Sequence, residues 1–165
     1  VKVVNIDAKK YLQENAQLFD LIFVDLPDPN NESLVQLYSK EFYILLKRHL
    51  AEHGLSAIQS TSPFFAREAF WCIHHTLEEA EFWTVPYHLN VPSFGDWGFN
   101  MAGKNLFSID KIHIDVPTRF LSTDVAKRLF DFGKDITEIE TEVNTLIEPI
   151  LLAYYHEGWE RWNAE

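Results

Sequence analysis

The sequence predicts an α/β domain: a mostly parallel sheet with helices on both faces, then a late antiparallel hairpin and a helical C-terminal extension. Three observations predict it. The run "LIFV" (21–24) is apolar with no polar alternation, as in a parallel strand buried on both faces. Strand-like and helix-like segments follow one another as βαβαβαββ up to about residue 115. Beyond that point the spacing of apolar residues becomes largely helical.

Each element has a local reason. "VKVVNI" (1–6) is rich in valine and reads as a strand ending at Asp7. "AKKYLQENA" (8–16) reads as a short helix, and "LIFV" as the next strand. Ser39 is placed to cap "KEFYILLKRHL" (40–50), where Phe42, Leu45, Leu46 and Leu50 recur at helical spacing and Gly54 follows as a stop. "LSAIQS" (55–60) is a third strand. Ser62-Pro63 gives a cap with proline at the first helical position, opening a helix that runs to about Glu79. "FWTVPYHLNV" (82–91) is strand-like, with Pro86 placing it near an edge or bulge. "WGFNMAG" (97–103) returns after a glycine turn. "STDVAKRLFDF" (122–132) reads as a capped helix stopped by Gly133. Residues 136–165 read as mostly helical, interrupted at Pro149. The predicted division is therefore an α/β part at 1–115 and a mostly helical extension at 116–165 packed on it.

Composition narrows the class. The 165 residues are 47% hydrophobic and 15% aromatic, too apolar for a disordered chain and enough for one sizeable core. A lone cysteine, Cys72, excludes a disulfide framework within the chain and favours a reducing, cytoplasmic setting. No apolar run approaches the roughly 18 residues of a membrane helix, and no signal peptide opens the chain. The net charge of -11 argues against nucleic acid and would help a polycationic ligand approach.

Ligands of open parallel α/β sheets collect outside the carboxyl ends of the strands. Asp7, Asp25 and Gln59 fall at such ends, and Asp28 shares a loop with Asp25 between Pro27 and Pro29. Two close carboxylates repel, and a bound amine between them would relieve the repulsion. A strand-tip aspartate on its own is more often a helix cap or a turn former, and a buried amide such as Gln59 is often structural. Adjacent His74 and His75 point to different faces of a helix, which is poor metal spacing. Trp159 and Trp162 read as a packing stripe, and so do Phe94 and Trp97. No H-E-x-x-H, Walker loop or nucleophile elbow is present.

"FDLIFVDLPDP" followed by "LYSKEFYILLKRHL" resembles the polyamine aminopropyltransferases, the spermidine synthase family, whose pattern is Y-D-V-I-x-V-D-x-x-D-P and then F-Y-x-x-x-K-x-x-L. "VKVVNIDAKKYL", "AIQSTSP" and "VPSFGDWGFNMAG" are similar to its neighbouring strands and late hairpin. The hairpin and the tail "TEVNTLIEPILLAYYHEGWERW" look like the bacterial subgroup that carries an N-terminal membrane region. The resemblance implies a Rossmann-like methyltransferase sheet. It implies aminopropyl transfer from decarboxylated S-adenosylmethionine, a co-substrate, to an amine such as putrescine. Asp25 is implied as general base, Asp25 and Asp28 as amine ligands, and Asp7 and Ala8 as adenine contacts; Gln59, at the tip of the next strand, is a further substrate-binding candidate.

The departures are specific. None of the six glycines forms G-x-G-x-x-G. Val1 already falls in the family's third strand, so the resemblance implies a C-terminal piece without the first two strands, inactive alone. Val91 or Pro92 replaces a tyrosine that many relatives place near the acceptor. In the family's strand order, the edge of "LIFV" would lose its neighbour. Either "VKVVNI" moves beside it or a second chain pairs there as a homodimer. A small-molecule methyltransferase, or a non-catalytic binding or oligomerisation domain on the same scaffold, remain alternatives.

Overall fold

β1 (Phe19–Val24) grows from the apolar run and pairs in parallel with β2 (Leu50–Gln59), Val24 lying opposite Ile58. β4 (Gly95–Gly103) adds antiparallel to the other side of β2, and β3 (Trp83–Val91) completes the hairpin, giving the order β1-β2-β4-β3. The sheet is thus mixed, with one parallel and two antiparallel pairings. Pro86 sits on the outer strand β3, where its missing N–H leaves no inner ladder incomplete. The computed structural model describes residues 1–163; Ala164 and Glu165, read as the end of a helix, lie outside the described residues.

Among the described residues six α-helices accompany the sheet. α1 (Ala8–Glu14) precedes β1, and α2 (Glu32–Val35) and α3 (Lys40–Arg48) form the crossover to β2. Ser39 caps α3 as expected, accepting from the Phe42 N–H. α4 (Arg67–Glu79) leads to the hairpin. α5 (Thr123–Arg128) and α6 (Leu151–Asn163) follow it. Phe42, Tyr43 and Leu46 of α3 join Cys72, Ile73 and Leu77 of α4, Ile58 of β2 and Leu151 of α6 in one buried cluster.

Several expectations need correction. Residues 1–6 form no strand; Val1, Val3 and Val4 stay exposed. A strand exists only through its ladder, and among the described residues no backbone hydrogen bond ties 1–6 to β1. Among the described residues no strand pairs with the outer edge of β1. Nor is β1 buried on both faces: Val24 is in the core, but Leu21 and Phe23 are 61% and 77% exposed. Phe23 aligns with Ala57 and Met101 along a row that grows more covered away from the β1 edge, since Ala57 and Met101 are only partly exposed.

Glycine and caps were also misassigned. Gly54 lies inside β2, not behind a helix; a Cβ there would stand 2.9 Å from the Phe19 carbonyl, so glycine lets β1 approach. The helix had already ended with His49 as its C-cap. Ser62 caps a turn, its Oγ accepting from the Phe64 and Phe65 N–H groups, and α4 begins only at Arg67. α5 ends at Arg128, well before Gly133. Residues 136–150 are irregular where the sequence predicts helix. Fully buried Asn144 explains why: its N–H donates to Thr76 Oγ1 (2.9 Å), its Nδ2 to the Val35 carbonyl (3.1 Å), and its Oδ1 accepts from Leu151 N (3.3 Å). Those side-chain bonds compete with a helix and win by satisfying buried groups.

α6 docks through Gly158. A Cβ there would come within 2.7 Å of Ala66 Cα and 2.9 Å of the Phe65 carbonyl. In a solvated helix Gly→Ala stabilises by up to about 1 kcal/mol. At this contact Gly158→Ala is expected to destabilise instead, by about 1–3 kcal/mol from overpacking. Urea denaturation of the two proteins checks the sign.

Candidate active site

The loop after β1 delivers both of its carboxylates, but to different places. Asp25 follows the last residue of β1, is exposed, and lines a groove of about 520 Å³ with Ala8, Tyr11, Leu26 and residues of the 1–6 segment. No side-chain hydrogen bond occupies it among the described residues. Asp28 is half-buried and accepts three side-chain hydrogen bonds. Its Oδ1 accepts from Gln59 Nε2 at 2.6 Å, and its Oδ2 from Thr61 Oγ1 at 3.2 Å and Tyr155 Oη at 3.0 Å. Asp28 has no ion-pair partner among the described residues.

Gln59, the last residue of β2, is 7% exposed and has its amide orientation set from both sides. Its Nε2 faces the carboxylate, and its Oε1 lies 3.1 Å from the Tyr38 hydroxyl. The Tyr38 hydroxyl also lies 3.0 Å from the Pro27 carbonyl and 3.3 Å from that of Leu26. Its single proton is shared among these acceptors, which stitches the Asp25–Asp28 loop to the tip of β2. Burial pushes the Tyr38 phenol well above the usual tyrosine range, and the charges of Asp28 and then Asp25 push the same way. Tyr155 is raised by burial first and by the charge of Asp28 and the bond to it second. Both phenols stay protonated and remain donors.

Thr61 is held at φ 59°, a left-handed conformation that β-branched residues avoid. The surroundings enforce it. The Thr61 carbonyl accepts from Gly98 N at 2.7 Å while Ser60 N donates to the Gly98 carbonyl at 2.9 Å. Gly98 is required for this closeness, because a Cβ there would lie 2.9 Å from the Thr61 carbonyl and 2.4 Å from the Phe70 ring. β4 thus locks the turn that aims the Thr61 hydroxyl at Asp28.

Of the residues singled out from the sequence, Asp28 and Gln59 are joined directly, and Asp25 and Ala8 share the groove. Asp7 lies apart: its Oδ1 accepts from Lys10 N at 2.8 Å and caps α1, the bland role of a strand-tip aspartate. Phe94, Trp97 and Trp159, expected to be packing residues, line a second cavity of about 410 Å³ with Asp28, Phe65, Ser93 and Tyr155; Val91 and Pro92 are outside that lining. Tyr38, Thr61 and Tyr155 were missed. Tyr38 and Thr61 lie close to recognised motifs, whereas Tyr155 is 127 positions from Asp28 and left no local signal. The histidine pair diverges as expected, His74 bonding Asn100 at 2.7 Å and His75 bonding Thr141 at 2.7 Å. Burial lowers the pKa of His74, against the opposing effect of the Asn100 bond. Among the described residues, no helix is long and apolar enough to cross a membrane.

Residues 1–114 match the model of the spermine/spermidine synthase domain family. The chain belongs to that family. Its curated relatives include a polyamine aminopropyltransferase of Oceanobacillus iheyensis, 46% identical over 98% of this chain and 32% of that protein. Polyamine aminopropyltransferase 2 of Ralstonia nicotianae is 47% identical over 96% of this chain and 31% of that protein. The chain therefore spans about a third of the length of these relatives, and the alignments run into the segment beyond residue 114. The spermidine synthase of Thermotoga maritima superposes with a TM-score of 0.66 at 20% identity, covering 80% of this chain and 47% of that one. A spermidine synthase bound to the transition-state analogue AdoDATO gives 0.67 at 22% identity, covering 80% and 48%. These two likenesses show the fold, a Rossmann-like sheet.

The raised Tyr38 phenol predicts a pH dependence. Folding raises its pKa, so the folded chain keeps a proton that the unfolded chain releases above about pH 10. This stability is complete below pH 10 and is lost as pH climbs beyond it. Denaturation midpoints from pH 8 to 11 should fall at the alkaline end, and Tyr38→Phe should make that fall shallower.

Proposed function

We propose that this chain is the acceptor-side part of a polyamine aminopropyltransferase. In the intact protein it directs transfer of the aminopropyl group of decarboxylated S-adenosylmethionine to a small amine such as putrescine. The observation that carries the reading is the division of labour on one loop: a free carboxylate, Asp25, at the groove, and an immobilised one, Asp28, beside an aromatic cavity. An alkylammonium is no nucleophile until it loses a proton, and a carboxylate with open lone pairs within reach can take it. The freed nitrogen then attacks the methylene carbon beside the sulfonium. The new C–N bond forms as the C–S bond breaks, and sulfur leaves as a neutral thioether. Fixed in-line geometry supplies much of such a rate.

In this reading Asp25 is the base, and Asp28, oriented by Gln59, holds positive charge on the amine. Ala8 lies on the same groove as Asp25, which supports its assignment to the nucleoside side. Asp7 keeps that assignment only through Oδ2, because Oδ1 caps α1. A methyltransferase reading is weaker, because methyl transfer needs no pair of carboxylates for a diammonium ligand. The bare edge of β1 needs a cover. We assign it to further chain of the same protein, given the length of the relatives, with a second copy in a homodimer as the alternative.

In the intact protein Asp25→Asn should lower kcat by about 10²- to 10⁴-fold with a smaller change in the co-substrate's KM. Asp28→Asn should raise the amine's KM more than it lowers kcat. Steady-state kinetics checks both, and an unchanged kcat removes Asp25 from the role. The isolated 165-residue chain should give no turnover above its own Asp25→Asn control.

A further inference from the structure

The open cavity at Asp28 is lined by that one carboxylate and by Phe65, Phe94, Trp97, Tyr155 and Trp159. Phe65 and Trp159 stack with centroids 5.0 Å apart at 20°, and Phe94 and Trp97 are 5.1 Å apart at 41°. A carboxylate with no ion-pair partner among the described residues, sharing its cavity with five aromatic side chains, is complementary to an alkylammonium: the charge meets Asp28 and the rings, and the methylenes meet the aromatic surface. Two of these walls belong to α6, which lies beyond the 1–114 segment matched by the family model. Tyr155, Gly158 and Trp159 share one face of α6 at helical spacing. Gly158 permits the close docking on Ala66, Trp159 stacks on Phe65, and the Tyr155 hydroxyl donates to Asp28.

Building on the aminopropyl-transfer reading, we propose that α6 forms part of the acceptor site. Trp159 holds the distal ammonium of a diamine over Asp28, while the attacking nitrogen is served by Asp25. Tyr155 is a positioning residue that fixes the orientation of the Asp28 carboxylate. The C-terminal segment thereby selects acceptors that carry a second positive charge.

The test uses the intact protein with decarboxylated S-adenosylmethionine, comparing 1,4-diaminobutane with 1-aminobutane as substrate or competitive inhibitor. Trp159→Leu is expected to raise the KM for the diamine by about 5- to 30-fold, leaving the monoamine constant and the co-substrate KM within about twofold. Trp159→Phe keeps an aromatic face and should retain most of the affinity. Tyr155→Phe should raise the diamine KM by about 3- to 10-fold with the same selectivity. If Trp159→Leu fails to fold by circular dichroism, the two phenylalanine variants carry the test. A diamine KM that does not move, or one that moves equally with the monoamine constant, overturns the inference and leaves the reaction standing. No aminopropylated product from the unsubstituted protein overturns the reaction and the inference together.

Discussion

A half-buried carboxylate with no cation beside it must be satisfied by neutral donors, and Asp28 imposes that demand on the whole ligand end of the sheet. Its donors come from three separate places: Gln59 at the tip of β2, Thr61 in the turn after it, and Tyr155 on α6. Each donor is itself constrained. Gln59 is oriented by Tyr38, and Thr61 is held in a strained conformation by its bonds with Gly98. Tyr155 is placed by a helix whose approach depends on Gly158. The interior of the fold thus converges on one side chain, and small residues at remote positions set its geometry.

Asp25, three positions earlier on the same loop, contrasts with this. It follows β1 into the open groove, where no side-chain hydrogen bond engages it among the described residues. Immobilising one carboxylate and leaving its neighbour unengaged suits a site that must bind a charge and also accept a proton. Asp28 accepts three hydrogen bonds from side chains, whereas Asp25 accepts none among the described residues.

The groove and the bare β1 edge share a cause. A parallel strand presents an unpaired row of N–H and C=O groups until another strand covers it. Leu21 and Phe23 add exposed apolar area on the same strand. The chain spans about a third of the length of its curated relatives.

The sequence by itself determined the elements whose cause is local. Ser39 capped its helix, the apolar run made β1, Pro86 marked an outer strand, and the hairpin fell where the glycine turn put it. The D-x-x-D-P loop also identified the two carboxylates and, through resemblance, the family. Tertiary structure decided what needs a distant partner. Residues 1–6 have strand composition but pair with no strand among the described residues, and residues 136–150 have helical spacing but a buried asparagine whose bonds elsewhere outweigh it. Gly54 reads as a stop and serves as a point of close approach. Tyr155 and Asp28 meet only because α6 folds back across the ligand end of the sheet, and neither periodicity nor spacing encodes a contact over 127 positions. Propensity and capping are settled within a few residues, whereas ladders and buried hydrogen bonds are settled by whichever group the completed fold brings within 3 Å or so.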